Sequence, residues 1–260
     1  MRAGLAGRVN WLGLSTFFGV IAAWEISVRL KIISFDYVPP PSQVVVATRD
    51  LVDNGQMQLN LQHTLTAAIV GWVVACIVGV ILGVLLALLR PMWTYSMASV
   101  DALRALPIVA FVPVAVLLFG FTLKMEIILS FYGALWPVLL NTFQGMRDVQ
   151  PRLIEVGRVM RLSRATRLWK LQLPAATSYI VVGMRLGLGI SLVLTLVAEM
   201  VGNPAGLGFA LVQTAQSLQP AQMFAYIVAI GVSGIILNGV LIGFARLLFS
   251  GQMASSGESS

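Results

Sequence analysis

From Met200 to Ala245 the chain carries no Asp, Glu, Lys or Arg, and a second uncharged run extends from Thr64 to Leu89, where Arg90-Pro91 closes it. Runs of this kind exclude an ordinary water-soluble domain. Such a domain carries roughly 25% charged residues; this chain carries 10%, with 58% hydrophobic residues and a mean hydropathy of +0.90. A membrane-spanning helix needs about 20 apolar residues to cross a hydrocarbon core about 30 Å thick. A chain of 260 residues then holds roughly five to seven spans with their connectors, as one membrane domain without a separate soluble one.

The sparse charges and the prolines mark the boundaries. Val9–Val28 is the expected first span, retained because no A-x-A-like cleavage site follows Trp24. Glu25 and Arg29 stand at i and i+4, a pairing that suits the membrane edge. Pro39-Pro40-Pro41-Ser42 stops regular structure, and Gln43–Leu61 reads as a short amphipathic helix outside the core, broken at Asn54-Gly55. Thr64–Leu89 is the second span, with Gly79 and Gly83 as a small-xxx-small pair. Ala105–Leu123 is the third, kinked or broken by Pro107 and Pro113; Ile127–Met146 is the fourth, with Pro137; Thr177–Val201 is the fifth, interrupted by Arg185. Breaks at Asn203-Pro204 and Gln219-Pro220 precede a sixth, about Met223–Phe249. The expected fold is an all-α polytopic membrane protein with six spans, a transmembrane domain over 1–250 and a disordered tail, Gly251–Ser260.

The net charge of +7 is compatible with nucleic acid, anionic lipid or membrane topology, and its distribution favours topology. With the N-terminus cytoplasmic, only Arg29, Lys31, Arg49 and Lys124 of the 17 basic residues fall outside. Both termini are therefore expected in the cytoplasm, and no nucleic-acid partner is expected. Cys76 stands alone, so there is no disulfide framework and no cysteine metal site. Gly231-Val232-Ser233-Gly234 has the G-x-S-G form of an intramembrane serine protease, but that chemistry needs a base, and the single histidine, His63, lies before the second span. The lysines are Lys31, Lys124 and Lys170, none after a glycine, so there is no P-loop and no ATP hydrolysis by this chain. Within the spans, Arg185 and Glu199 are costly in lipid. They stand about four turns apart, too far to pair within one helix. Arg185 is expected to snorkel, and Glu199 to bond backbone groups of the Gly202–Gly208 loop. Pro107 and Pro113 are candidates for shaping a pathway, and Asn141, Ser191 and Thr195 for lining it or for bonding between helices.

The informative polar segment is Arg147–Gln172. Leu153, Val156, Val159, Met160 and Leu162 have a partly helical apolar spacing, while Arg158, Arg161, Arg164, Arg167 and Lys170 recur every third residue and so wind around the helix. Leu171-Gln172-Leu173-Pro174 ends the segment before the next span, and an amphipathic helix held beneath the membrane can dock against a soluble partner.

Glu155-Val156-Gly157 followed by Leu171-Gln172-Leu173-Pro174 resembles the E-A-A…G…I-x-L-P loop of binding-protein-dependent ATP-binding-cassette permeases. Leu103-Arg104-Ala105-Leu106-Pro107 resembles L-R-A-I-P, and Trp136-Pro137-Val138-Leu139-Leu140-Asn141-Thr142 resembles F-P-V-L-L-N-T. Gly183-Met184-Arg185-Leu186-Gly187, Val197-Ala198-Glu199-Met200 and Gly206-Leu207-Gly208 resemble G-L-R-L-A, V-A-E-M and G-L-G. Together these resemble the nitrate, sulfonate and taurine branch of the family. The departures are Val156 and Gly157 where the family has Ala, and Arg161 where it has a turn-permitting Gly, a role an arginine is not expected to fill in the same way.

The resemblance implies a type I importer permease in a bacterial inner membrane, non-catalytic, passing a small solute such as a sulfonate or nitrate. It implies a cytoplasmic ATPase dimer that binds ATP and Mg, a second permease copy, an extracytoplasmic binding protein and no cofactor on this chain. It places coupling at Leu153, Glu155, Val156, Gly157, Met160, Arg161, Leu173 and Pro174. The alternative is a passive channel or a membrane scaffold.

Overall fold

The structure, a computed structural model, describes residues 11–30, 37–201 and 203–253. The expectations placed on Arg2, Arg8, Lys31 and the last seven residues lie outside them. Every regular element described is a helix: α1 (Trp11–Arg29), α2 (Pro41–Asp53), α3 (Gln56–Leu88), α4 (Arg90–Ala105), α5 (Ile108–Phe119), α6 (Leu123–Arg147), α7 (Pro151–Val159), α8 (Arg164–Arg167), a π turn (Leu168–Gln172), α9 (Leu173–Met200), α10 (Leu207–Gln216) and α11 (Pro220–Met253). Among the described residues, four helices are long and apolar enough to cross a membrane: Gln56–Leu88, Leu123–Arg147, Arg164–Met200 and Pro220–Leu247. Tyr95–Ala105 and Ile108–Phe119, bent by 81° at the Leu106–Pro107 break, make a fifth if the pair counts as one span. The expected number was six, and α1 stands where the first was expected.

Local chemistry accounts for these boundaries. Pro41 opens α2 at the first helical turn, where its missing N–H costs nothing. Glu25 Oε2 accepts the Ser42 N–H at 3.0 Å, a carboxylate at a helix N-terminus, while Arg29 pairs with Glu25 at 2.5 Å. Gly55, at φ +79, turns the chain from α2 into α3, so the residues after it belong to the first turns of α3 rather than to one amphipathic helix ending at Leu61. Val44, Ala47 and Leu51, one face of α2, pack on Leu207, Ala210, Ala225 and Tyr226 of α10 and α11. The third expected span breaks at Pro107 alone. Pro113 lies inside α5 without ending it, and α5, 12 residues long, is about 18 Å, too short to cross by itself.

The centre is α6, held between α3 on one side and α9 on the other. On α3, Gly71, Ala75, Gly79 and Gly83 repeat every four residues and face Ser130, Ala134, Val138 and Thr142 of α6, which repeat the same way. A Cβ at Gly83 would lie 2.7 Å from the Leu139 carbonyl oxygen, and one at Gly79 would lie 2.9 Å from Val138 Cγ1. On the other side, a Cβ at Gly183 would lie 2.9 Å from the Pro137 carbonyl oxygen. Small residues replace the hydrophobic drive that lipid removes, because they let backbones touch. Serines then cross the gaps: Ser191 Oγ donates to the Ala68 carbonyl at 2.7 Å and Ser130 Oγ to the Ala67 carbonyl at 3.3 Å.

Gly83→Val should force α3 away from α6 and lower the stability of the purified protein by about 1–3 kcal/mol, read as an earlier thermal transition in detergent. Gly239→Val, at a glycine with no neighbour within 4 Å, should leave the transition in place. Equal effects would contradict the packing described.

Candidate functional site

The polar segment after α6 forms a bracketed hairpin at one end of the bundle. Asp148, which caps α6, accepts the Tyr179 hydroxyl of α9 at 2.8 Å and the Gln144 side-chain amide at 3.0 Å. Pro151 opens α7 in its first turn. Gly157 is the buried residue of α7, and a Cβ there would lie 2.8 Å from Leu171 Cδ1 and 3.0 Å from Arg167 Cδ. Both belong to flexible side chains, so the alanine expected at this position is met by small shifts of Leu171 and Arg167.

With Gly157 turned inward, the opposite face of α7 is bare. Val156 is 51% exposed, Val159 83% and Met160 65%, and Trp169 on the adjacent π turn is 70% exposed. Glu155 is exposed beside them, and among the described residues it makes no ion pair with Arg152 or Arg158. Leu153, expected as an anchor, is half-buried, while Val159 stands out furthest. A face of uncovered valine, methionine and tryptophan beside a free carboxylate is suited to burial by a protein partner.

Arg161 occupies the left-handed region at φ +52. Its N–H donates to the Arg158 carbonyl at 2.9 Å, and the Leu162 N–H donates to the Gly157 carbonyl at 3.0 Å. This pair of bonds closes α7 in a Schellman motif, with arginine where glycine is usual. The expectation that arginine would not fill the glycine's role is thus corrected. It makes the same turn, at a cost of about 1–2 kcal/mol.

Pro174 does not end the segment. It sits in the first turn of α9, and the helix runs on from Arg164 to Met200. The π turn just before it, closed by the Leu173 N–H donating to the Leu168 carbonyl, is an established way to absorb such an interruption without breaking a helix. The segment beside α7 and the span α9 are therefore one continuous rod.

The pathway candidates do not form one group. Pro107, just before α5, and Pro113, within it, are exposed. Asn141 Nδ2 donates to the Pro137 carbonyl at 2.8 Å within α6, and Ser191 bonds α3. Thr195 is fully buried, and among the described residues its hydroxyl has no hydrogen-bond partner. Glu199, also fully buried, accepts the Thr64 hydroxyl at 2.7 Å and the Gly208 N–H at 2.7 Å. Thr64 Oγ1 in turn accepts the Leu207 N–H at 2.8 Å. Gly206, at φ +100, passes so close to the Glu199 carboxylate that a Cβ would overlap it. Arg185, midway along α9, donates from Nε to Asn238 Oδ1 of α11 at 2.8 Å. Sequence reading missed Glu126, set just outside the fourth span but fully buried in α6, and placed His63 before the second span, whereas it lies within α3 beside Glu126.

Residues 79–252 match the family described as "Binding-protein-dependent transport system inner membrane component". The chain is 32% identical over 242 residues to an aliphatic sulfonates transport permease protein, SsuC, of Bacillus subtilis, covering 93% of this chain and 86% of that one. It is 27% identical to the taurine transport system permease protein TauC of Escherichia coli, covering 91% and 88%, and 29% identical to the nitrate import permease protein NrtB of Synechocystis, covering 77% and 76%. The fold is shared with a chain of the MetNI methionine ABC transporter in an inward-facing conformation, with TM-score 0.63, 21% identity and coverage of 72% of this chain and 94% of that one.

Arg161→Gly should relieve the left-handed strain and raise the stability of α7, leaving activity at or above the unmutated level. Arg161→Val, β-branched at a positive φ, should lower both. Amide exchange over Pro151–Leu162 measures the effect; slower exchange in Arg161→Val than in Arg161→Gly would refute it.

Proposed function

The chain belongs to the binding-protein-dependent transport system inner membrane component family as a multi-pass permease subunit, and we propose that it carries a small oxyanion of the sulfonate class, driven by an ATPase that docks on α7. ATP is hydrolysed by the partner ATPase, not by this chain. The observation that carries the coupling reading is the unbroken helix from Arg164 to Met200, lying directly against α7. An ATPase that grips Val156, Val159, Met160 and Trp169, with Glu155 setting register at the rim, pulls on a rod that crosses the membrane. Gly157 and Arg161 set the pitch of the gripped face, and Leu173-Pro174 lies where the rod meets the span. Leu153 packs behind that face.

The assembly proposed is two copies of this permease, two ATPase subunits with ATP and Mg, and an extracytoplasmic binding protein that supplies the cargo. The excess of Lys and Arg on the α7 side supports cytoplasmic termini, and the transmembrane domain extends over 1–250 with a polar tail behind it. The bend at Pro107 and the α5 helix that carries Pro113 shape the route between the copies, while Asn141, Ser191 and Thr195, turned into this chain, set the packing of the helices behind it. For the cargo, relatives named for aliphatic sulfonates, taurine and nitrate support a small anion. So does a guanidinium halfway along α9 whose hydrogen-bond partner, Asn238, is neutral. A passive channel leaves the bare face of α7 without a role.

In proteoliposomes with the ATPase and binding protein, ATPase activity should rise with taurine or methanesulfonate bound. Glu155→Ala should assemble normally yet lose most of that rise and most of the transport. Val159→Asp should weaken ATPase binding about tenfold or more. Transport at the unmutated rate in both variants would remove α7 from the coupling role.

A further inference from the structure

At the end of the bundle opposite α7, four polar side chains converge from four segments. His63 comes from α3, Glu126 from α6, Glu199 from the last turn of α9, and Asn203 from the link to α10. The ligating atoms of His63, Glu126 and Glu199 all lie within 4.8 Å of one another. Glu126 and Glu199 are fully buried, Asn203 is 3% exposed, and the His63 side chain, at 24%, is the opening to the outside.

We infer that this cluster binds a divalent transition-metal cation through His63 Nε2, one carboxylate oxygen each from Glu126 and Glu199, and the side-chain amide oxygen of Asn203.

Charge is the first argument. Two buried carboxylates this close repel strongly in a low dielectric, and among the described residues no Lys or Arg lies within ion-pair distance of either. Lys124, two residues from Glu126, is exposed. The imidazole by itself leaves the cluster negative even when protonated.

The second argument is an orphaned oxygen. Glu126 Oε2 is buried and, among the described residues, has no hydrogen bond. His63 Nε2 is hydrogen-bonded to Oε1 at 3.2 Å; it lies 3.1 Å from Oε2 but outside hydrogen-bonding geometry. Asn203 Nδ2 already bonds Oε1. Oε2 therefore keeps its lone pairs for a cation.

The ligand chemistry is the third. One imidazole with carboxylate and amide oxygens suits Zn2+ or Mn2+ better than Mg2+. Glu199 is oriented from behind by the Thr64 hydroxyl and the Gly208 N–H, the supporting bonds that position a metal ligand. A half-turn of the Asn203 amide, whose nitrogen now lies 3.4 Å from His63 Nε2, presents its oxygen instead. The ion would tie α3, α6, α9 and the link to α10 together and hold that end of the bundle closed.

The test uses the full chain assembled with its ATPase, stripped with EDTA and dialysed against Zn2+ or Mn2+. Metal counting should find about one ion per permease chain, and the thermal transition should rise with Zn2+ or Mn2+ but not with Mg2+. Glu126→Gln and His63→Gln should each cut metal affinity at least about tenfold. X-ray absorption at the zinc edge of the unmutated complex should show one imidazole nitrogen with oxygens at about 2.0–2.2 Å, a reading that stands even if a variant fails to assemble. Uptake no greater than in Glu126→Gln, or a first shell without imidazole, overturns the site. So does a thermal transition that follows pH but not metal, since a proton would then hold the two carboxylates.

Discussion

Everything in this structure depends on how closely α6 can be approached. The glycines of α3 bring that helix against the α6 backbone, and Gly183 and Gly187 of α9 do the same from the other side. In lipid no hydrophobic force drives helices together, so contact and a few hydrogen bonds must suffice. The three helices form the packed unit, whereas only about a tenth of the residues along the apolar stretch of α11 are buried. A helix so little covered within one chain has a face left for a second copy or for lipid.

That packed unit gives α9 its meaning. At one end it continues through the π turn into the segment beside α7; at the other, Glu199 anchors the start of α10 through Gly208 and, by way of Thr64, through Leu207. A displacement of α7 thus has a continuous covalent and hydrogen-bonded route to the far end of the bundle. The two ends differ in kind. The α7 end presents uncovered apolar groups and basic charge for a partner, while the far end buries its acids. Coupling across such a molecule needs no chain of loosely linked side chains, because one helix spans the distance.

Much of this was legible in the sequence, for reasons that can be traced. Uncharged runs gave the long helices because hydrocarbon tolerates few charges, and Asn54-Gly55, Pro107 and Asn203-Pro204 marked real breaks because their backbone limits act locally. Pro174 and Pro113 misled, since a proline inside a long helix can be absorbed by a π turn or by the loss of one bond when the surroundings hold the rest. Arg161 misled in the same way: the two capping bonds of α7 outweigh a modest strain. Val159 and Leu153 exchanged roles because the inward face of α7 is set by Gly157 meeting Leu171, a tertiary contact invisible to spacing. Glu126 was overlooked because a charge next to Lys124 at a span boundary reads as solvent-facing, and only the fold turns it toward His63.

The most direct measurement is cross-linking from a cysteine placed at Val159 in the assembled complex, compared with one at Gln58, exposed near the start of α3. A short bifunctional reagent should join Val159→Cys to the ATPase subunit in high yield, with a yield that changes when ATP is bound. Gln58→Cys should give no such product. A Val159→Cys that stays unlinked in an intact, ATP-hydrolysing complex, or a Gln58→Cys that links to the ATPase, would contradict the account of α7 as the point where the ATPase takes hold.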